Sequence, residues 1–286
     1  MKKRSDAFTL IELLVVISII SLLIGLILPA LGKARLQAMS IRNRSNLRQV
    51  MIAWEMYSNE YDGELLYGYT PPTLGGKTFE LRMDGHVLSY PVTARYAWRL
   101  SPYFGDIWEV MYDHTTLPDV PRASDSGSDA FMKAYAISVT TGFAPNSVFV
   151  GGHHSVAFYR GFMTSGVTYE LNVGEHVLFK QSEVRRPSGL IGFTEVQQVI
   201  NGDVVEENGF YWSTPPVANG RKWEVRGGEI VVSNQGIGMG LPKGRYGDVT
   251  SCGFLDGHVE GLRAEELDDM RLWYQGADSV GDDFID

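Results

Sequence analysis

The residue types that do chemistry are sparse in this chain. Its histidines are His86, His114, His153, His154, His176 and His258. His153 and His154 stand together in "VGGHHSV", which could form a metal pair but reads first as a loop or strand end. No HExxH, CxxC or GxSxG spacing occurs, so no enzymatic chemistry is expected. Cys252 is the single cysteine and reads as a small buried hydrophobe. No intrachain disulfide can form, so the fold must rest on its core or on a metal. Acids cluster at Asp125 and Asp129 in "SDSGSD", and at Asp278, Asp282 and Asp283 in "GADSVGDD". Neither has EF-hand spacing, and both read as solvated loops or a frayed tail. The acid that asks for an explanation is Glu12. It heads a run, Leu13 to Leu31, of nineteen residues without a charge. As a helix that run spans roughly 28 Å, close to the thickness of a hydrocarbon core. A carboxylate at its edge costs on the order of 1–3 kcal/mol, depending on depth. Such a charge calls for a partner.

The elements around these residues follow from pattern. Lys2, Lys3 and Arg4 precede the apolar run, as in a secretory signal, but the run exceeds the usual 7–15-residue signal core. An ordinary signal peptide and a plain single-pass anchor are the two simple alternatives. Beyond the run, Leu47, Val50, Met51, Trp54, Tyr57 and Tyr61 recur at spacings of three and four, one face of a helix. Asp62-Gly63 then supplies a stop. The spacing predicts one helix over 8–62, membrane-spanning over about 11–31, weakened near Pro29 by its missing N–H. Lys33, Arg35, Arg42, Arg44 and Arg48 make its middle basic, as a solvated or headgroup-facing surface or, in a sharper reading, a dock for acidic groups of a neighbouring copy. Five basic residues after the run against three before it vote weakly against a cytoplasmic N-terminus.

After Gly63 the pattern changes to short segments punctuated by turns. The composition, with 44% hydrophobic residues, 32 Gly and 12 Pro, suits a packed core with many turns. The net charge of −9 argues against nucleic-acid binding. Candidate strands are "HVLSY", "VTYEL", "HVLFK", "GLIGFTEV", "GEIVVS" and "SCGFL". Asp84-Gly85, Asp256-Gly257 and Asn201-Gly202 suit type I′ hairpins. The expected fold class is α+β: the long N-terminal helix packed on an antiparallel sheet in a β-rich domain over 63–286.

The stretch "AFTLIELLVVISIISLLIGLILPAL" resembles the class III signal of type IV pilins and type II secretion pseudopilins. That resemblance implies a leader, residues 1–7, cut at Ala7–Phe8 by a prepilin peptidase that also methylates Phe8. Ala7 stands where the family usually has Gly. It implies that Glu12 is the near-universal acid and Pro29 the helix-weakening proline. It also implies an N-terminus on the cytoplasmic side of the inner membrane, a periplasmic domain, and partners in an assembly platform and in other copies or related subunits of a filament. In such a filament Glu12 would meet the amine of Phe8 on the adjacent subunit, each offsetting the other's charge and fixing axial register. Further on, "NLRQVMIAWEMYSNEYDGELL", "YAWRLSPYFG", "VRRPSGLIGFTEV" and "GFLDGHVEGL" resemble a large-domain subgroup with a C-terminal H-x9-D-G box. Tyr246 occupies the box's His position, ten residues before Asp256, so only Asp256 and Gly257 are taken from the box, as a turn. Some pseudopilins bind calcium near the C-terminus, which makes Asp278, Asp282 and Asp283 weak calcium candidates; no other cofactor is implied. The expected function is a structural filament subunit of a pilus or secretion pseudopilus. The alternative is an anchored or secreted binding module, for glycans for example, using exposed aromatics between Phe210 and Pro216.

Overall fold

A computed structural model describes residues 10–70, 73–74, 77–105, 107–112, 119–152, 176–200, 203–205, 209–217, 221–232 and 239–280. Its first element is a single helix, α1 (Leu10–Glu60), which runs through Pro29 without a break. Its Ile and Val content is a weak handicap in water. In a hydrocarbon environment only a structure that satisfies every backbone group within itself is stable, so the same sequence is held helical there. Ser18 settles its hydroxyl the same way, donating to the Leu14 carbonyl at 2.8 Å. The end is also explicit: Asp62 and Gly63 turn to φ 54° and 77°, and the Gly63 N–H donates back to Ser58 O at 2.8 Å.

The other helices are short: α2 (Tyr96–Leu100), α3 (Ile107–Met111), α4 (Gly127–Val139) and α5 (Ala264–Leu267). Ser126 caps α4 by accepting from the Asp129 N–H at 3.1 Å. The strands are β1 (Thr73–Leu74), β2 (Lys77–Thr78), β3 (Leu81–Met83), β4 (His86–Leu88), β5 (Phe143–Pro145), β6 (Ile191–Glu195) and β7 (Gln197–Ile200). After them come β8 (Asp203–Val205), β9 (Trp223–Arg226), β10 (Glu229–Val232), β11 (Met239–Leu241), β12 (Thr250–Phe254) and β13 (Val259–Leu262). The fold is α+β, a long N-terminal helix followed by a globular domain with several antiparallel sheets. The central sheet has the order β13-β12-β6-β5; smaller sheets are β11-β7-β8, β10-β9, β3-β4 and β1-β2.

The predicted apolar face of α1 is what the sheet packs against. Leu47, Val50 and Met51 are fully buried, and Trp54 and Tyr57 nearly so. The seam is tight because glycine lines it. A Cβ on Gly253 of β12 would lie 2.6 Å from Met51 Sδ, and one on Gly192 of β6 2.8 Å from Leu255 Cδ2. Phe193 sits opposite Gly253 in register and adds its ring to the α1 side, where Tyr96, Trp98 and Leu100 of α2 also pack. A bulge between Gly253 and Phe254 then breaks the ladder. On the other face, Ile191, Cys252 and Phe254 join Trp223, Leu241, Met270 and Trp273 in a second core.

Several local expectations are corrected. "HVLFK" forms isolated bridges, Val150 with Leu178 and Glu64 with Lys180, instead of a strand. Asp84-Gly85 does form the two-residue turn, with φ 43° and 87°. Asp256-Gly257 does not form a type I′ turn: only Gly257 has positive φ, at 86°, and the Gly257 N–H closes a turn on Phe254 O at 2.8 Å. The loop therefore has three residues, Leu255 to Gly257, which fits a type I turn followed by a glycine bulge. Gly227-Gly228, at φ 61° and 85°, joins β9 to β10 as an unanticipated two-residue turn. β7 and β8 pair up to Ile200 and Asp203; Asn201-Gly202 between them, and all of "VTYEL", lie outside the described residues.

Candidate functional site: the exposed half of α1 and the base of the domain

Every residue of α1 from 10 through 38 is exposed. Its most apolar 18-residue window has mean hydropathy 2.9 and no buried residue, and the helix is long and apolar enough to cross a membrane. Leu10, Leu22, Leu26 and Leu31 are each more than 60% exposed. Glu12 lies in the first described turn of α1. Pro29 lies one turn before the basic stretch. Ala7 and Phe8 are outside the described residues.

Where α1 leaves its exposed half, the globular domain closes over it. Asn43 donates to Ser251 Oγ at 3.1 Å, and Asn46 to the Glu109 carbonyl at 3.1 Å. Arg42 meets Glu109 at 3.0 Å. Behind them Arg245 braces the loop after β11: its backbone N–H donates to Glu195 Oε1 at 3.0 Å and its Nη2 to the Val196 carbonyl at 2.8 Å. Burial pushes the Glu195 carboxyl up, against the pull of Arg245 and of the Arg245 and Ser251 N–H groups. Between α1 and this loop is a cavity of about 250 Å³, whose wall includes Tyr246. Tyr246 and Asp256 are not brought together. β12 separates them, with Ser251 beside Asn43 at one end and the Asp256 loop beyond the other.

Residues 2–28 match the family model of the prokaryotic N-terminal methylation motif. The chain carries a pilin-type signal. Searches of curated proteins and of solved structures return no match. The signal indicates a precursor of the type IV pilin or pseudopilin kind, and it suggests a structural role instead of a catalytic one. The exposed apolar half of α1 fits a single-pass anchor in such a protein.

The remaining candidates resolve individually. Asp256 Oδ1 accepts from the His258 N–H at 3.1 Å and meets its Nδ1 at 2.5 Å. Partial burial pushes the Asp256 carboxyl up, but the His258 bonds outweigh it and hold it below the usual carboxylate range. His258 stacks on Phe254, with centroids 4.3 Å apart. His86 lies 3.0 Å from the Arg122 carbonyl, and His176 2.6 Å from the Tyr274 hydroxyl. His114, His153 and His154 lie outside the described residues, as do Asp282 and Asp283; Asp278 is exposed. Among the described residues no three His, Cys, Asp or Glu side chains gather as a metal site. Cys252 is fully buried, which raises its thiol pKa well above the usual value.

The aromatic surface expected between Phe210 and Pro216 is mostly buried, with only Trp212 partly exposed. Phe210 and Tyr211 are 7% and 5% exposed, and Ser213 and Thr214 are also buried. Tyr211 instead helps enclose Arg95, whose guanidinium lies 4.2 Å from the Tyr135 centroid and 4.8 Å from that of Tyr211. Sequence reasoning missed that cage and the Glu195–Arg245 brace. Their members lie 50 or more residues apart in the chain, except Arg95 and Tyr135, and no local spacing announces them.

Proposed function

We propose that this protein is a structural subunit of a pilus-like or secretion-pseudopilus filament. The observation that carries the reading is the division of α1. Residues 10–38 lie exposed and are uncharged from Leu13 to Leu31, under a methylation motif, while the described residues beyond them bury a core. Apolar surface in water costs about 25 cal/mol per Å², so that half needs lipid first and other helices later. In this reading a prepilin peptidase cuts Ala7–Phe8 and methylates Phe8. The N-terminus faces the cytoplasm and the domain the periplasm until an inner-membrane platform adds the subunit to a filament. Pro29 lets the helix bend near the end of its apolar run, within the exposed half. Glu12 pairs with the amine of Phe8 on the next subunit, and the pair sets axial register, because either charge left alone among apolar helices is costly.

The test is Glu12→Val in the full chain. Insertion and cleavage should persist, with mass spectrometry finding methyl-Phe8, while sheared filaments disappear from the pellet. Normal filament yield would remove Glu12 from this role. A mature N-terminus beyond residue 30 would return the chain to an ordinary signal peptide.

A further inference from the structure

We propose that the cavity at the base of the domain receives the acidic segment 282–286 of a neighbouring copy of this chain. The proposal rests on the filament-subunit reading and names a contact within it. At about 250 Å³ the cavity falls below the ~300 Å³ at which small-molecule sites begin, and it suits one large side chain. Met39, Met111, Tyr112 and Phe143 contribute apolar wall, and Arg35 and Arg42 stand on the same face of α1. Among the described residues Arg35 has no ion pair. Arg42, although it meets Glu109, keeps half of its side chain exposed. An occupant that matches these walls presents an apolar ring flanked by carboxylates.

The chain itself holds such a sequence: Asp282-Asp283-Phe284-Ile285-Asp286, three acids around a Phe and an Ile. Charge distribution points the same way. Residues 63–286 carry 29 acidic and 17 basic side chains, whereas α1 has five basic residues and no acid between Glu12 and Glu55. Residues 270–280 lead into the segment. Met270, Trp273 and Ala277 belong to the core on the sheet face turned away from α1, and the Met270 N–H donates to Val280 O at 3.0 Å. Val280, the last described residue before the segment, therefore lies on the side opposite the cavity. A contact between unlike surfaces on opposite sides of one molecule is heterologous, and repeated without closure it builds a helical array.

The experiment uses the full chain in its membrane, with benzoylphenylalanine at position 284. Irradiation should give a dimer-sized product whose cross-linked peptide contains Met39, Met111 or Tyr246. Arg35→Glu with Arg42→Glu should lower the yield about tenfold, and adding Asp282→Arg with Asp283→Arg should restore it. Cross-links within one chain, to lipid, to another protein or to residues outside the cavity overturn the proposal. So does a yield unmoved by the first pair of substitutions, or unrestored by the second. Filaments are sheared from the same cells. Filaments without the cross-linked pair sink this contact alone; the pair without filaments sinks the filament reading and leaves the contact standing.

Discussion

The two halves of α1 share one backbone and differ in what completes them. From residue 40 onward the helix is a wall of the core: Leu47, Val50 and Met51 are sealed beneath the central sheet. Up to residue 38 every residue is exposed, and only Arg35 reaches the cavity wall at the base of the domain. The same kind of residue is thus stabilising in one half and a liability in the other. What decides is whether the partner is inside the chain or outside it. The second half belongs to folding, and the first, in the function proposed above, to insertion and assembly.

The largest expected effect tests that division directly. A chain starting at Leu36 keeps the buried half and should fold and stay in solution. One starting at Gly63 loses five large buried side chains, each worth about 1.5–3 kcal/mol, which together match a typical total stability of 5–15 kcal/mol. It should aggregate. Equal melting curves and elution volumes for the two would break the comparison.

Next come paired substitutions across the divide. Trp54→Ala should lower unfolding free energy by about 3–5 kcal/mol in urea titrations, while Leu22→Ala should leave the domain's transition unmoved. A milder pair uses glycine. Gly253→Ala places a Cβ against Met51 Sδ and should cost about 1–3 kcal/mol, since Met51 must shift in a close-packed seam. Gly25→Ala meets open space and should change no domain melting temperature. If both glycines tolerate alanine alike, the seam is looser than drawn here.

The smallest effect sharpens the comparison by lying outside α1. Hydrogen bonds from Arg271 hold the Asp269 carboxyl below the usual carboxylate range. Its folded pKa lies below its unfolded one, so the stability it adds is present above about pH 4 and is lost as pH falls through the folded value. The unfolding free-energy gap between the wild type and Asp269→Asn should narrow from pH 7 to pH 3, and stay under about 1 kcal/mol throughout. The same gap should appear in the chain starting at Leu36.

Sequence legibility follows the range of the interactions. The C-terminal end of α1 was readable to within two residues, because the 3.6-residue face and Asp62-Gly63 are local signals. So was the turn at Asp84-Gly85. The Asp256-Gly257 loop was misread because dipeptide chemistry does not set loop length; the register between β12 and β13 does. The Phe210–Pro216 aromatics looked like a binding surface because their burial comes from distant elements. Gly253 and Gly192 were visible as glycines, yet nothing nearby said that a helix would lie on them. The cavity is the extreme case, assembled from α1, α3, the start of β5 and the loop after β11.

The glycine seam has a mechanical consequence. Met51 crowds the place where a Cβ on Gly253 would be and Leu47, one turn away, is in contact with it, and β12 runs alongside α1 with Ser251 near Asn43. A pull along the helix axis cannot slide α1 by a turn, about 5.4 Å, unless these side chains climb over the pleat. Such tension meets the seam in shear. The ladder bonds joining β12 to β6 and β13 lie across the strand and carry the load together, where a sideways tug would peel them one after another.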